Sequence, residues 1–244
     1  MIRRREFITL LGGAAVAWPL SARAQPSGKT YRIGFLGPTS YAERKRDVDA
    51  LRTGLRQLGY EEGRNIVIHY RWAEGRYDRL AEFAAELVKL NMDVIVTVST
   101  PGALAAKQAT STIPIVMAAV GDPVAAGIVA SLARPSGNLT GLTFFFAEIC
   151  AKRVELIKEA IPTLTRVAVL VNPANPSHLV ALSVMQDMAS ALGVELVSAD
   201  AKGRDDIAAA IATMAARRPQ GLVVIDDPVF ISTARQIASP RAAK

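Results

Sequence analysis

Short, β-branched and almost continuously apolar runs alternate along this chain with longer segments whose apolar residues recur at helical spacing, and few folds accept that pattern. The runs predict strands at 31–36, 66–70, 94–98, 115–118, 167–171, 194–197 and 222–225. Strands without polar alternation suit parallel sheets covered on both faces. Parallel neighbours need a crossover between them, most often a helix. The intervening segments supply it: Val48, Leu51, Leu55 and Leu58 trace one apolar stripe, and Leu80, Phe83, Ala84, Leu87 and Leu90 another. Leu182, Met185, Ala189 and Leu192 form a third, and Ile207, Ile211 and Met214 a fourth. The fold class is therefore α/β, built from doubly wound sheets.

The turn-rich stretch Arg134-Pro135-Ser136-Gly137-Asn138 and the fresh helical pattern beyond it divide the chain into two lobes, 27–142 and 143–244. The first lobe has four predicted strands and the second three. The second reads as incomplete, because the chain stops soon after a helix would begin at Pro228. A lobe that ends there is expected to expose a sheet edge and apolar helix faces.

Residues 1–24 read as an export signal. Arg3, Arg4 and Arg5 lead into an apolar run at 8–20, followed by Ser21-Ala22-Arg23-Ala24 with small residues placed for cleavage after Ala24. The run is interrupted by Pro19 and falls short of the roughly 20 residues that a membrane-spanning helix needs. Arg4-Arg5-Glu6-Phe7-Ile8 fits a twin-arginine signal. An arginine-rich general secretory leader is the alternative. Either implies a periplasmic destination.

Without the four arginines and one glutamate of the leader, the formal charge falls from +7 to +4. No lysine/arginine cluster recurs on one face downstream, so a nucleic-acid partner is not expected. Arg44, Lys45 and Arg46, the densest remaining basic run, read as a solvated helix face. Cys150 is the single cysteine, which rules out an internal disulfide and a thiolate metal site. His69 and His178 are the only histidines. They read as ordinary surface or strand residues, and no metal or cofactor is expected.

Four strand ends carry a polar residue, then proline, then a predicted helix: Thr100-Pro101, Asp122-Pro123, Asn175-Pro176 and Asp227-Pro228. Such residues suit the N-cap, and proline suits the first helical turn, where no amide donor is needed. Capping alone explains any one of them. Together they carry more, because the carboxyl ends of strands in an open α/β sheet face the ligand crevice. Asp122 could meet a ligand ammonium group there, and Thr100 with its following amides a carboxylate. Gly37-Pro38-Thr39-Ser40-Tyr41 would add hydroxyls and an aromatic face to the rim. Neither a three-glycine dinucleotide loop nor a phosphate loop is present. Asp205-Asp206 and Asp226-Asp227 are adjacent pairs, unlike the carboxyls converging from separate elements that glycoside chemistry requires.

On these residues the chain resembles the solute-binding proteins of ATP-binding-cassette transporters, specifically the tryptophan/tyrosine transport system substrate-binding type. The resemblance rests on Arg32-Ile33-Gly34-Phe35-Leu36, Gly54-Leu55-Arg56-Gln57-Leu58-Gly59-Tyr60, Glu62-Gly63-Arg64-Asn65-Ile66, Tyr70-Arg71-Trp72-Ala73-Glu74-Gly75, Pro114-Ile115-Val116, Gly121-Asp122-Pro123-Val124, Leu132-Ala133-Arg134-Pro135 and Gly137-Asn138-Leu139-Thr140-Gly141-Leu142. It implies a type I periplasmic-binding-protein fold, two flavodoxin-like lobes joined by a hinge, with a small organic solute closed between them. The solute would be an aromatic amino acid or a related acid, delivered by a monomeric carrier to an inner-membrane permease without chemical change. Ligand contacts carried over from the strand-end loops fall on Thr39, Ser40, Thr100, Pro101, Asp122, Thr143, Asn172 and Asp226. The resemblance also implies that family members continue past Pro228 through the rest of the second lobe. A frameshift or early stop would explain the difference, and so would a genuine shortened domain. An exported α/β enzyme and a ligand-sensing domain of a signalling system are the other readings of such a chain.

A twin-arginine leader predicts that replacing Arg4 and Arg5 together by lysine leaves the chain uncleaved in the cytoplasm of a bacterial host, as read by cell fractionation. A general secretory leader, which needs only positive charge ahead of its apolar run, predicts undiminished export.

Overall fold

The computed structural model describes residues 29–135 and 137–238. The leader and the last six positions, on which expectations were placed above, lie outside the described residues. Among the described residues no helix is long and apolar enough to cross a membrane.

The first sheet comprises β1 (Tyr31–Gly37), β2 (Ile66–Trp72), β3 (Val94–Thr97), β4 (Ile115–Val120) and β5 (Leu139–Thr143) in the order β2-β1-β3-β4-β5. Every pairing in it is parallel. Its crossovers are α1 (Tyr41–Gln57), α2 (Leu80–Lys89) and α3 (Thr100–Ala109). The second sheet comprises β6 (Arg166–Val171), β7 (Glu195–Asp200) and β8 (Gly221–Val224) in the order β7-β6-β8, again parallel. Its helices are α4 (Phe146–Ala160), α5 (Pro176–Ala191), α6 (Ile207–Ala216), α7 (Pro228–Ser232) and α8 (Ala234–Ala238).

Each sheet is packed on both faces, which accounts for the continuous apolar runs. Ile33 and Phe35 turn toward Val48, Leu51 and Leu55 of α1, whereas Leu36 and Ile95 turn toward α2 and α3. In the second sheet, Val167, Val169 and Val171 face α4 and α5, while Ala168 and Leu170 face α6, α7 and α8. Period-two alternation thus sends both sets of apolar side chains inward. Each buried leucine or isoleucine contributes about 1.5–3 kcal/mol before the entropy of ordering the chain is subtracted. In the first sheet α1 packs on one face and both α2 and α3 on the other, and in the second α5 and α6 take opposite faces, so each sheet has a point where the strand order reverses, between β1 and β3 and between β6 and β8. The crevice of a doubly wound sheet lies outside the carboxyl ends of the strands at such a point.

Two expectations are corrected here. The first sheet has a fifth strand, β5, that the apolar pattern did not predict. Thr140, Gly141 and Thr143 interrupt the run, and only Leu139 of the strand is buried, because β5 forms the edge of the sheet. No helix follows Asp122-Pro123 either. Asp122 Oδ1 accepts from the amides of Val124 and Ala125, both at 3.0 Å, and closes a turn.

The pairing of β4 with β5 shifts register between Met117 and Val120, and Gly141 lies beside that irregularity with φ 151°. A Cβ at this position would stand 2.1 Å from the Met117 carbonyl oxygen. Backbone cannot yield as a flexible side chain does. Gly141→Ala is expected to cost roughly 3 kcal/mol or more, measured as the loss in unfolding free energy on urea titration. A loss under about 1 kcal/mol would mean that β5 is not held against β4 as described.

Candidate functional site

A cavity of about 470 Å³ lies where the strand ends of the two sheets meet. The first sheet contributes Val98, Ser99 and Thr100 after β3, and Ala118, Ala119 and Gly121 at the end of β4. Opposite stand Asn175 and Ser177 after β6, and Asp226 and Pro228 after β8. Phe144 and Phe146, on the segment linking the sheets, give the cavity an aromatic wall. Gly121 permits the close approach of the two sides, since a Cβ there would fall 2.7 Å from Ser177 Oγ.

Helix α1 supplies the cationic wall. Ser40 caps it through a reciprocal capping box: the Ser40 amide donates to Glu43 Oε2 at 3.0 Å, and the Glu43 amide donates to Ser40 Oγ at 3.4 Å. The first turn fixed in this way presents Arg44 and Asp47 to the cavity. Arg44 Nε donates to Thr39 Oγ1 at 3.3 Å and Nη1 to Asp47 Oδ2 at 3.2 Å, and its side chain is 17% exposed. Arg44 is therefore a largely enclosed guanidinium and not part of a solvated face. On the other side Asp226 is paired through Oδ2 with Arg153, which also donates to the Val224 carbonyl oxygen at 3.2 Å. The cavity so carries an oriented cation and an oriented carboxylate on opposite walls, each already paired with a neighbour.

Ser99 lies at the N-terminus of α3 with φ 79°, a conformation that costs a residue bearing a Cβ of order 1–3 kcal/mol. Its hydroxyl accepts from the Gly102 amide at 3.4 Å, so Ser99 is the cap and Thr100 the first helical residue, and the helix begins one position earlier than expected. Gly102 is required too, because a Cβ there would meet Thr97 Oγ1 at 2.3 Å. Thr100 is left free to bond across the lobes, its Oγ1 lying 2.7 Å from Ser177 Oγ.

Beside the cavity lies a polar cluster closed off from water. Asp227 is fully buried. Its Oδ1 accepts from Tyr77 Oη at 2.8 Å, from the Val229 amide at 3.0 Å and from Asn172 Nδ2 at 3.2 Å, while Oδ2 accepts from Asn175 Nδ2 at 3.0 Å. His178 is buried too, contrary to its reading as a surface or strand residue. Its Nδ1 accepts from the Asn172 amide at 3.0 Å, which leaves the ring proton on Nε2 to donate to the Asp226 carbonyl oxygen at 3.2 Å. Burial lowers the His178 pKa, and although Asp227 Oδ2 stands 3.4 Å away and raises it, burial wins. The imidazole is neutral.

Of the strand-end residues singled out in the sequence, the structure brings Thr100, Asn175, Asp226 and Pro228 to the cavity, and of these Thr100 and Asp226 are among the eight expected ligand contacts. Thr39 and Ser40 lie behind it, one bracing Arg44 and the other capping α1. Asn172 serves Asp227, Pro101 lines a separate groove, and Asp122 caps its own turn. Thr143 Oγ1 donates to the Val120 carbonyl oxygen at 3.0 Å and ties β5 to β4. Sequence reasoning missed Arg44, Asp47, Ser99, Ser177 and the two phenylalanines. The spacing of Arg44 and Asp47 at i, i+3 one turn beyond a capping serine was the available signal. Among the described residues no group of three or more histidine, cysteine, aspartate or glutamate side chains is placed to hold a metal ion.

Residues 33–241 match the sequence profile of a family described as ABC transporter substrate binding protein. A tyrosine-binding protein of Clostridioides difficile (strain R20291) is 32% identical over 160 residues, which is 66% of this chain and 46% of that protein. The chain thus spans less than half the length of that relative. Among solved structures, the ABC domain of Streptococcus pneumonia in complex with L-Trp superposes with a TM-score of 0.76 at 24% identity, over 86% of this chain and 70% of that one. A conserved domain protein from Vibrio cholerae O1 biovar El Tor superposes with a TM-score of 0.71 at 26% identity, covering 88% and 86%. The first of these likenesses shows the fold alone. It is the two-lobed type I periplasmic-binding-protein arrangement expected from the sequence.

The neutral histidine sets a pH dependence. Unfolded, it binds a proton below about pH 6.5. Folded, its lowered pKa keeps it neutral further down. Stability is therefore expected to be full above about pH 6.5 and to fall as the pH drops below that value. Urea unfolding at pH 7.5 and pH 5.5 measures the fall, and a His178→Gln variant is expected to lose it. Equal wild-type stability at the two pH values would contradict the assignment.

Proposed function

Because the chain belongs to the ABC transporter substrate-binding protein family, whose members bind solutes and are not enzymes, we propose that it captures a small organic solute between its lobes. The solute class is an aromatic amino acid or a related aromatic acid. The observation that carries this reading is the presence, within one cavity of about 470 Å³, of both the Arg44 cation and the Asp226 carboxylate beside the Phe144 and Phe146 rings. A guanidinium whose Nε and Nη1 are already engaged keeps a fixed direction, and such a group matches a carboxylate. Asp226 offers its second oxygen to an ammonium group. The names of the tyrosine-binding relative and of the structure holding L-Trp support the same solute class.

The chain then acts as a monomer in the periplasm after removal of residues 1–24, its lobes at 27–142 and 143–244 closing over the solute before an inner-membrane permease receives it. Thr100, Ser99, Ser177 and Asp226 touch the solute in this scheme, while Thr39, Ser40 and Asn172 hold its neighbours in place. Closure is favoured because each lobe presents part of the contact surface, so the solute binds the closed form more tightly than the open one.

Thermal unfolding of the purified chain against aromatic amino acids, aromatic acids and branched-chain amino acids tests the reading. A solute at 100 times its Kd adds about 2.7 kcal/mol, seen as a rise of several degrees in Tm. Arg44→Met is expected to abolish that rise for every carboxylate-bearing solute while the chain still unfolds cooperatively. A panel in which no aromatic amino acid or acid moves Tm would sink the proposal.

A further inference from the structure

The two lobes meet through contacts of unequal kind, and the one at Tyr77 is both buried and made without any cavity-lining group. Tyr77 belongs to the first lobe, on the short 3-10 turn between β2 and α2. Its ring packs against the core of that lobe and also against the second-lobe core that contains Val229 and Phe230. Its hydroxyl donates to Asp227 Oδ1 at 2.8 Å. Burial, and next the Asp227 charge, push the phenol pKa far above its ordinary value, so the group is always a donor. The preceding Gly75, at φ 81°, lies close enough to the second lobe that a Cβ there would stand 3.6 Å from Val229 Cγ2. Neither Tyr77 nor Asp227 lines the 470 Å³ cavity.

We propose that Tyr77 is an interlobe latch, a positioning residue whose bond to Asp227 favours lobe closure by an amount that is the same for every solute. Other bridges among the described residues differ. Thr100 and Ser177 are themselves cavity residues, so a solute competes for their hydroxyls. Arg204 Nη2 donates to Glu43 Oε1 at 2.8 Å from an arginine side chain that is 60% exposed, and such a pair holds little. The Tyr77–Asp227 bond is charge-assisted and shielded, the setting in which a hydrogen bond is strongest. Because apparent affinity scales with the fraction of molecules in the competent form, the latch sets how tightly any solute is held without selecting among solutes.

A buried reporter measures the open fraction with no solute at all. Ser177 is 2% exposed at the lobe junction, so a thiol reagent reaches a cysteine placed there by Ser177→Cys when the lobes part. The native Cys150, buried in the second-lobe core with its thiol pushed up to about 11 by burial, serves as the internal standard. Tyr77→Phe keeps the ring and removes only the hydroxyl. In that background the new cysteine is expected to label about tenfold faster or more, while Cys150 stays unreactive and Arg204→Ala changes the rate less than twofold. An unchanged rate in Tyr77→Phe would overturn the latch. So would equal acceleration by Arg204→Ala. If Tyr77→Phe exposes Cys150 as well, or loses cooperative unfolding, the bond belongs to the fold of the second lobe and the proposal fails. Solute binding enters none of these readouts, so the solute assignment can fail while the latch stands.

Discussion

An ionised carboxylate cannot be taken out of water alone, and the burial of Asp227 constrains much of what surrounds it. Four donors converge on its two oxygens, and they come from three separate places: the loop after β6, the first turn of α7, and Tyr77 on the opposite lobe. Asn172 and Asn175 therefore have to leave β6 in one particular path, which in turn places the Asn172 amide on His178 and Ser177 beside the cavity. The neighbouring Asp226 faces the opposite way, toward the cavity and Arg153. One charge thus fixes the strand-end geometry of the second lobe and its approach to the first.

The polar side chains at the strand ends divide between holding the frame and facing the cavity. Asp122, Asn172 and Thr143 are occupied by backbone or by other side chains, and Asn175 lines the cavity while donating to Asp227. Arg44 and Asp226 face the cavity, each oriented by one oppositely charged partner. Such pairs lower the cost of presenting a charge inside a cleft, because the group does not need to be reorganised when a ligand of complementary charge arrives. The strained Ser99 belongs to the same economy: its unfavourable φ is tolerated where the backbone turns into α3 at the cavity wall.

Most of the fold was legible because parallel strands buried on both faces leave an unmistakable apolar record, and because Asn175-Pro176 and Asp227-Pro228 act as the caps that their residue types suggest. The edge strand β5 was not, since its exposed threonines and glycine carry no such record. The cavity was half legible. Strand-end geometry pointed to the region around Thr100 and Asp226, but a strand end does not reveal whether its polar residue turns inward as a cap or outward to a ligand. The Asp226-Asp227 pair shows the difficulty, for adjacent identical residues take opposite roles. Arg44 was hidden for another reason: a basic run reads as solvated unless the helix is known to dock its first turn against a second lobe. His178 was misread because nothing local in sequence marks the neighbours that enclose it.

The all-parallel pairing also orders events in time. Among the described residues no strand pairs with the next through a tight hairpin, so each of these ladders waits for a crossover to be synthesised and closed. The first sheet has all its strands once Thr143 has left the ribosome, before any strand of the second sheet exists. The second then assembles on β6, with its centre strand made first and its two flanks added afterwards. Tyr77 and Asp227, 150 positions apart, join only after both bodies are present. Until then a tyrosine that belongs to two cores is supported by one, and the nascent first lobe carries an unfinished surface that its later neighbour is shaped to cover.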